Sequence, residues 1–264
     1  MDLGLDGATV VVAGGGRGMG RAAARCFADE GARVAILART QQDLDETVVE
    51  LRQRGSPDAV GLVVDIRDDA AVTQVFADLD ARWGGLNVLV NAVGPNVRGT
   101  VEDLSDDQWR VAFDDGVLGL VHCVRTALPL LRKAGWARIV NFAASSTQRQ
   151  TVSLAAYTAA KSMVTSISKN LSLQLAPDEI LVNVVSPGSV ASDSLIAWAR
   201  SVGVETTDPY ALMSAITEHF GHPAHLPRVG LPEEIGPVVA FLASRRNSYM
   251  TGANINVDGG TDFT

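Results

Sequence analysis

The sequence predicts a doubly wound α/β fold: one parallel β-sheet with helices packed on both faces. Three observations carry this. Short apolar runs of strand length recur along the whole chain, helical periodicity fills the gaps between them, and no linker or repeat divides the 264 residues. Runs that do not alternate with polar residues belong to strands covered on both sides. Strands interleaved with helices close as a parallel sheet. The expectation is a single domain over 1–264.

Taken in order, the runs are ATVVVA (8–13), RVAILA (33–38), VGLVVD (60–65), LNVLVNAV (86–93), ARIVNFAA (137–144), ILVNVVS (180–186) and NINVD (254–258). A glycine-rich turn and an alanine-rich helix follow the first run. Residues 44–54 read as a helix, as do 70–83, where Val72, Val75, Phe76 and Leu79 share one face. Residues 189–228 break the rhythm, with two helices and no strand. They read as an insertion over the site, a substrate lid, or else as a surface segment.

Composition narrows the function. At 47% hydrophobic residues the chain can fill a substantial core. A formal net charge of -8 argues against nucleic acid as the partner, because phosphate binding needs a basic face. Cys26 and Cys123 lie in apolar helical contexts, so no disulfide framework is expected and a reducing compartment fits. The N-terminus lacks a cationic region ahead of its short apolar run, unlike a signal peptide. No apolar run approaches the roughly 20 residues of a membrane span. The expectation is a cytoplasmic protein with no membrane partner.

Gly14, Gly18 and Gly20 sit between the first strand and its helix. Glycine there permits a tight turn and lets a dinucleotide pyrophosphate approach the backbone, with free N–H groups of the helix start facing the anion. A turn that merely needs positive φ would look the same. The second strand decides between them. It ends in Arg39 where a carboxylate would hold an NAD ribose hydroxyl, and Arg17 adds a cation inside the loop. Guanidinium groups hold a 2′-phosphate with paired hydrogen bonds, so the predicted cofactor is NADP(H).

Tyr157 and Lys161 are spaced i,i+4 and share a helix face. A free phenol, with a pKa of about 10, is a poor base at neutral pH. A neighbouring ammonium would lower that value toward the working range of a general acid/base. The same spacing also occurs in ordinary amphipathic helices.

With these motifs in order, the chain resembles the short-chain dehydrogenase/reductases nearly end to end. The family's TGxxxGxG loop is matched by Ala13-Gly14 through Gly18-Met19-Gly20, with alanine for threonine. Its acidic adenine contact matches Asp65, followed by Ile66; its NNAG segment matches Asn91-Ala92-Val93-Gly94; its YxxxK pair is Tyr157 and Lys161. Pro187-Gly188 and the segments RVGLPEEIGPVVAFLAS and YMTGANINVDGG complete the pattern. The resemblance implies a Rossmann-type sheet, a nicotinamide cofactor whose ribose Lys161 also binds, and a homotetramer or homodimer associating through 108–131 and 155–176. It further implies cofactor contacts by Val190 and by Ser192, where a threonine commonly meets the carboxamide.

Two departures stand out against the family. Thirteen residues before Tyr157 lies Ala144, not serine; aligned from the strand instead, Ser145 becomes the catalytic serine, with Ser146 second. Seven residues beyond Trp109, where the family's asparagine supports a proton path, stands Gly116. A water, another residue or an impaired relay would each accommodate that glycine. Asp115 faces another direction on an ideal helix.

Leu195, Ile196, Trp198, Tyr210, Leu212, Met213, Ile216 and Phe220 give the 189–228 segment an apolar lining suited to a bulky, hydrophobic carbonyl compound, or to packing against the sheet or a second subunit. His219, His222 and His225 are spaced i, i+3, i+6, but Pro223 breaks the helix and no acidic or cysteine ligand accompanies them, so no metal is expected. Arg149 is read as a surface arginine that could also meet a substrate anion. The resulting expectation is an NADP(H)-dependent enzyme interconverting a ketone or 3-oxo compound and its secondary alcohol. The alternatives are a weakly catalytic NADP(H)-binding sensor or assembly subunit, and a non-redox enzyme on the same fold.

Overall fold

All seven apolar runs form strands of one parallel sheet in the computed structural model, which describes residues 2–221 and 223–261. The strands are β1 (Thr9–Ala13), β2 (Arg33–Ala38), β3 (Ala59–Val63), β4 (Val88–Asn91), β5 (Ala137–Phe142), β6 (Ile180–Pro187) and β7 (Asn254–Val257). Their order is β3-β2-β1-β4-β5-β6-β7. Pairing is in parallel register throughout, as in Ala13 against Leu37 on one side and Asn91 on the other. β4 ends earlier than its apolar run, because the chain leaves the sheet after Asn91 to form a long loop. This is the doubly wound architecture the sequence predicts.

The helices are α1 (Gly18–Asp29), α2 (Gln41–Gln53), α3 (Asp69–Trp83), α4 (Asp106–Phe113), α5 (Gly119–Lys133), α6 (Ala155–Gln174), α7 (Asp193–Ser201), α8 (Pro209–Phe220) and α9 (Pro232–Leu242). Alternate strand residues face opposite sides, and two cores result. One gathers α3, α5 and α6 over Val11, Leu89 and Ile139. The other gathers α1, α2 and α9 over Val10, Val12 and Val140. Phe76 centres the first and Phe27 the second, both fully buried. Removing either ring would cost about 3–5 kcal/mol.

Helix ends follow from the sequence. The Asp68 carboxylate accepts from Ala71 N–H and starts α3, and Gly84 at φ 74° ends it. Ser105 and Gln108 form a capping box at α4. Residues Asp114–Leu118, between α4 and α5, form a π-helical turn, a bulge the periodicity did not announce. Among the described residues no helix is long and apolar enough to cross a membrane.

The order reverses between β1 and β4, whose following connections diverge to opposite faces. That switch point is where an open α/β sheet leaves a crevice beyond its strand ends. α7 and α8 lie over it, built around a small core of their own: Ala199, Leu212, Met213, Ile216 and Val229.

Candidate active site

The turn after β1 is a backbone cradle. Gly14 takes φ 83° and Gly18 φ 52°, both left-handed. A Cβ on Gly20 would stand 2.2 Å from the Gly14 carbonyl oxygen, and one on Gly14 would press on Ala92 at 3.0 Å. α1 begins at Gly18 with no side chain capping it, so its first N–H groups are left without a side-chain acceptor. Unpaired donors, a dipole end and bare backbone together fit a pyrophosphate.

The two arginines expected at the adenosine end part company. Arg17 Nε donates to Asp43 Oδ2 at 2.6 Å, which ties it to the first turn of α2. Arg39 is exposed at the end of β2, with no ion pair among the described residues. Asp65 holds Arg67 through both carboxylate oxygens, and this pairing keeps its carboxyl below the usual range.

Tyr157, Lys161, Ser145 and Ser146 converge on a cavity of about 460 Å³. The same cavity is walled by Met19, Ala92 and Gly94 from the cradle side and by Pro187, Gly188, Val190 and Ser192 from the end of β6. Ser145 opens a 3₁₀ turn directly after β5. Thr158 Oγ1 donates to Ser146 Oγ at 3.1 Å, and both serine hydroxyls remain at the cavity wall.

Lys161 departs from the expected arrangement. It is buried, and its ammonium donates to the carbonyl oxygens of Phe142 at 2.8 Å and Val93 at 3.3 Å. Desolvation pulls its pKa down to about 8. Gly94 makes room for it, since a Cβ there would lie 2.6 Å from Nζ. Burial raises the Tyr157 phenol, and the cation that draws it down is Arg98. Sequence reasoning missed Arg98 altogether. Its signal was present: it is the lone cation in the loop from Ala92 to Leu104.

Residues 13–262 match the model of the family described as Enoyl-(Acyl carrier protein) reductase. The chain is 32% identical to the short-chain reductase protein NovJ of Streptomyces niveus, over 95% of this chain and 92% of that one. It is 33% identical to meso-2,3-butanediol dehydrogenase of Serratia marcescens, over 97% and 95% of the two chains. This chain belongs to the short-chain dehydrogenase/reductase family. L-sorbose reductase of Gluconobacter frateurii, solved with NADPH and L-sorbose, superposes with a TM-score of 0.91 at 28% identity, covering 99% of this chain and 98% of that one.

Within this short-chain dehydrogenase/reductase, the family's asparagine position is physically filled. Gly116 is buried in the π-helical turn, and a Cβ there would meet Pro95 Cδ at 2.8 Å and Ala160 Cβ at 3.0 Å. The Pro95 ring takes the volume. Asp115 turns toward Arg67 at 3.5 Å and does not replace the missing amide. Asn91 donates to Asn141 Oδ1 at 2.8 Å, while its own Oδ1 is buried with no protein partner.

The 189–228 segment supplies one wall. Leu195, Ile216 and Phe220 reach the catalytic cavity. Leu212 and Met213 pack within the small core of that segment, and Tyr210 is exposed. Trp198 stacks near Phe220, ring centres 5.0 Å apart. Ser192 caps α7 by accepting from Leu195 N–H. His219 Nδ1 lies 2.9 Å from the Ala215 carbonyl oxygen, and no metal-binding group occurs among the described residues. His222 lies outside the described residues. Arg149 is not a plain surface residue: it donates to the carbonyls of Thr261, Pro223 and Gly221, tying the loop before Tyr157 to the end of the 189–228 segment and to the C-terminal segment.

Proposed function

We propose that the protein is an NADP(H)-dependent oxidoreductase interconverting a ketone or 3-oxo compound and its secondary alcohol, with Tyr157 as acid/base. The observation that carries this is the single cleft in which the Tyr157 phenol, Ser145 and Lys161 face the glycine cradle. Bound nicotinamide supplies the hydride that ends on the carbonyl carbon. Tyr157 donates its phenolic proton to the carbonyl oxygen, so ketone, hydride and proton balance to alcohol. Burial keeps that phenol protonated at neutral pH, the state a proton donor in reduction requires. The Ser145 hydroxyl donates a hydrogen bond to the same oxygen and holds it near Tyr157.

On the cofactor side, Gly14, Gly18, Met19 and Gly20 take the pyrophosphate, and Asp65 with Ile66 bounds the adenine. Asn91, Ala92, Gly94, Pro187, Gly188, Val190 and Ser192 frame the nicotinamide ribose and ring, with Lys161 beneath them. The unpaired Arg39 supports a 2′-phosphate, and so NADP(H) over NAD(H). The relatives that act on butanediol and sorbose support a small alcohol or ketone as substrate. Residues 189–228 act as the lid that excludes water from the cleft. Exposed Val111, Leu118, Met163 and Leu173, along α4 to α6, support a homo-oligomer.

Parallel titrations with NADPH and NADH, followed by nicotinamide fluorescence, test the reading. Tighter NADPH binding is expected, with Arg39→Ala weakening it about 10- to 100-fold, the worth of a charged hydrogen bond. Turnover of a carbonyl panel should fall about 10²- to 10⁴-fold in Tyr157→Phe with cofactor binding retained. Equal affinity for NADH overturns the NADP(H) assignment. Tight NADPH binding without any turnover would favour a redox-state sensor.

A further inference from the structure

The catalytic cavity has a charge that the rest of the protein does not. The chain carries a net -8, yet the cavity is lined by Arg98, Arg149 and Lys161 and by no carboxylate among the described residues. Lys161 is spent on main-chain carbonyls. Arg149 is engaged with the carbonyls of Thr261, Pro223 and Gly221. Arg98 is in a different position: no ion pair or hydrogen bond engages it among the described residues.

Its placement is built into the fold. The next residue, Gly99, forms a bridge to Leu154, three residues before Tyr157. Gly99 N–H donates to Ser153 O at 2.7 Å, and Ala155 N–H donates to Gly99 O at 3.3 Å. Gly99 sits at φ 153°, with Leu104 Cδ2 2.7 Å from where a Cβ would be. This clasp fixes the Arg98 backbone against the start of α6. Arg98 lines both the catalytic cavity and a second one, of about 620 Å³, between α4 and α7, which Asp107 also lines without pairing with Arg98. Desolvation pushes the pKa of Arg98 down, and Tyr157 is the one acidic group that counters it. Arg98 is exposed on its solvent side, and a guanidinium that lines the reaction cavity without a counter-ion offers paired donors to an anion.

We propose that Arg98 is the substrate-recognition residue of this site and that the substrate is an oxo carboxylate, or the matching hydroxy acid, whose carboxylate pairs with the guanidinium. This rests on the oxidoreductase reading above. The carbonyl lies at Tyr157 and Ser145, and the carboxylate a few bonds away at Arg98. Leu195, Ile216 and Phe220 receive the alkyl remainder. Because Arg98 also acts on the phenol, a bound carboxylate neutralises that influence and leaves Tyr157 more firmly protonated for donation to the carbonyl.

The test compares 3-oxohexanoate with its neutral methyl ester, in wild type and in Arg98→Met and Arg98→Lys. Wild type should prefer the acid by tenfold or more in kcat/KM. Arg98→Met should bring the acid-to-ester ratio to about one, and Arg98→Lys should restore part of it, since lysine keeps the charge but loses the paired geometry. A second readout needs no turnover: 3-hydroxyhexanoate titrated against the protein–NADPH complex, followed by nicotinamide fluorescence. Loss of that response in Arg98→Met, even where neither compound is turned over, supports the anion site while the oxidoreductase reading fails. Turnover of the ester equal to or better than the acid overturns the anion site and leaves the oxidoreductase standing. An acid preference that persists in Arg98→Met also overturns it.

Discussion

Around Gly20 the chain has no spare room, whereas around Trp198 it has a great deal. In the cradle, added side-chain atoms at 20 or 14 run into backbone 2.2 to 3.0 Å away. The sheet beneath is buried to the last strand residue, from Val10 to Ala13 and from Val88 to Asn91. Over the cleft, α7 and α8 rest on a separate cluster, joined to the main cores through the wall of a cavity. The cradle proposed for the cofactor phosphate is made of main chain, which substitution does not easily change. The wall proposed for the substrate is made of side chains on a segment with its own packing. On that reading, rigidity sits where the ligand is constant, and adjustable packing where it is not.

That contrast breaks or sharpens under substitution. Met213→Ala should cost the α7–α8 cluster about 2–5 kcal/mol, the usual loss for a buried methionine. Hydrogen exchange at 209–220 should accelerate while NADPH affinity and protection of β1 and β4 hold. Equal loss of protection in the sheet would mean the two regions unfold as one.

Gly20→Ala is the counterpart in the cradle, with an expected cost of about 1–3 kcal/mol from overpacking. The urea midpoint should fall and the NADPH titration weaken together. Cofactor affinity equal to wild type would remove the crowding argument for that turn.

The smallest effect is a pH dependence at Lys161. At neutral pH its ammonium is charged in both folded and unfolded chains, and the folded chain bears the burial. Its folded pKa of about 8 lies below an unfolded value of about 10.4. Between the two the unfolded chain holds more protons, so stability rises with pH. Urea midpoints from pH 7.5 to 10.5, read as the difference between wild type and Lys161→Met, should therefore grow in favour of wild type. A flat difference would mean that the buried ammonium carries no such penalty.

Strands and cradle were legible in the sequence because both write themselves locally, as runs of Val, Ile and Leu and as glycines at a strand end. The boundaries of α2 and α3 fell within a few residues of the periodicity. What stayed hidden depends on contacts between distant segments. Nothing near Lys161 says that its ammonium turns to Phe142 and Val93, because those carbonyls come from two other strand ends. The bond that Ser146 accepts comes from Thr158 on another element, and the displaced pairing of Arg17 depends on Asp43. Arg98 looked like loop residue until the Gly99–Leu154 bridge set it beside Tyr157.

Pro95 and Gly116 constrain any redesign of this wall. Each makes sense of the other, one supplying a ring and the other the space for it. Asparagine at 116 alone would press a side chain into the ring, and removal of the proline ring alone would open a hole beside Ala160. Either single change makes a poorer protein, so the two positions behave as one unit that has to be exchanged together.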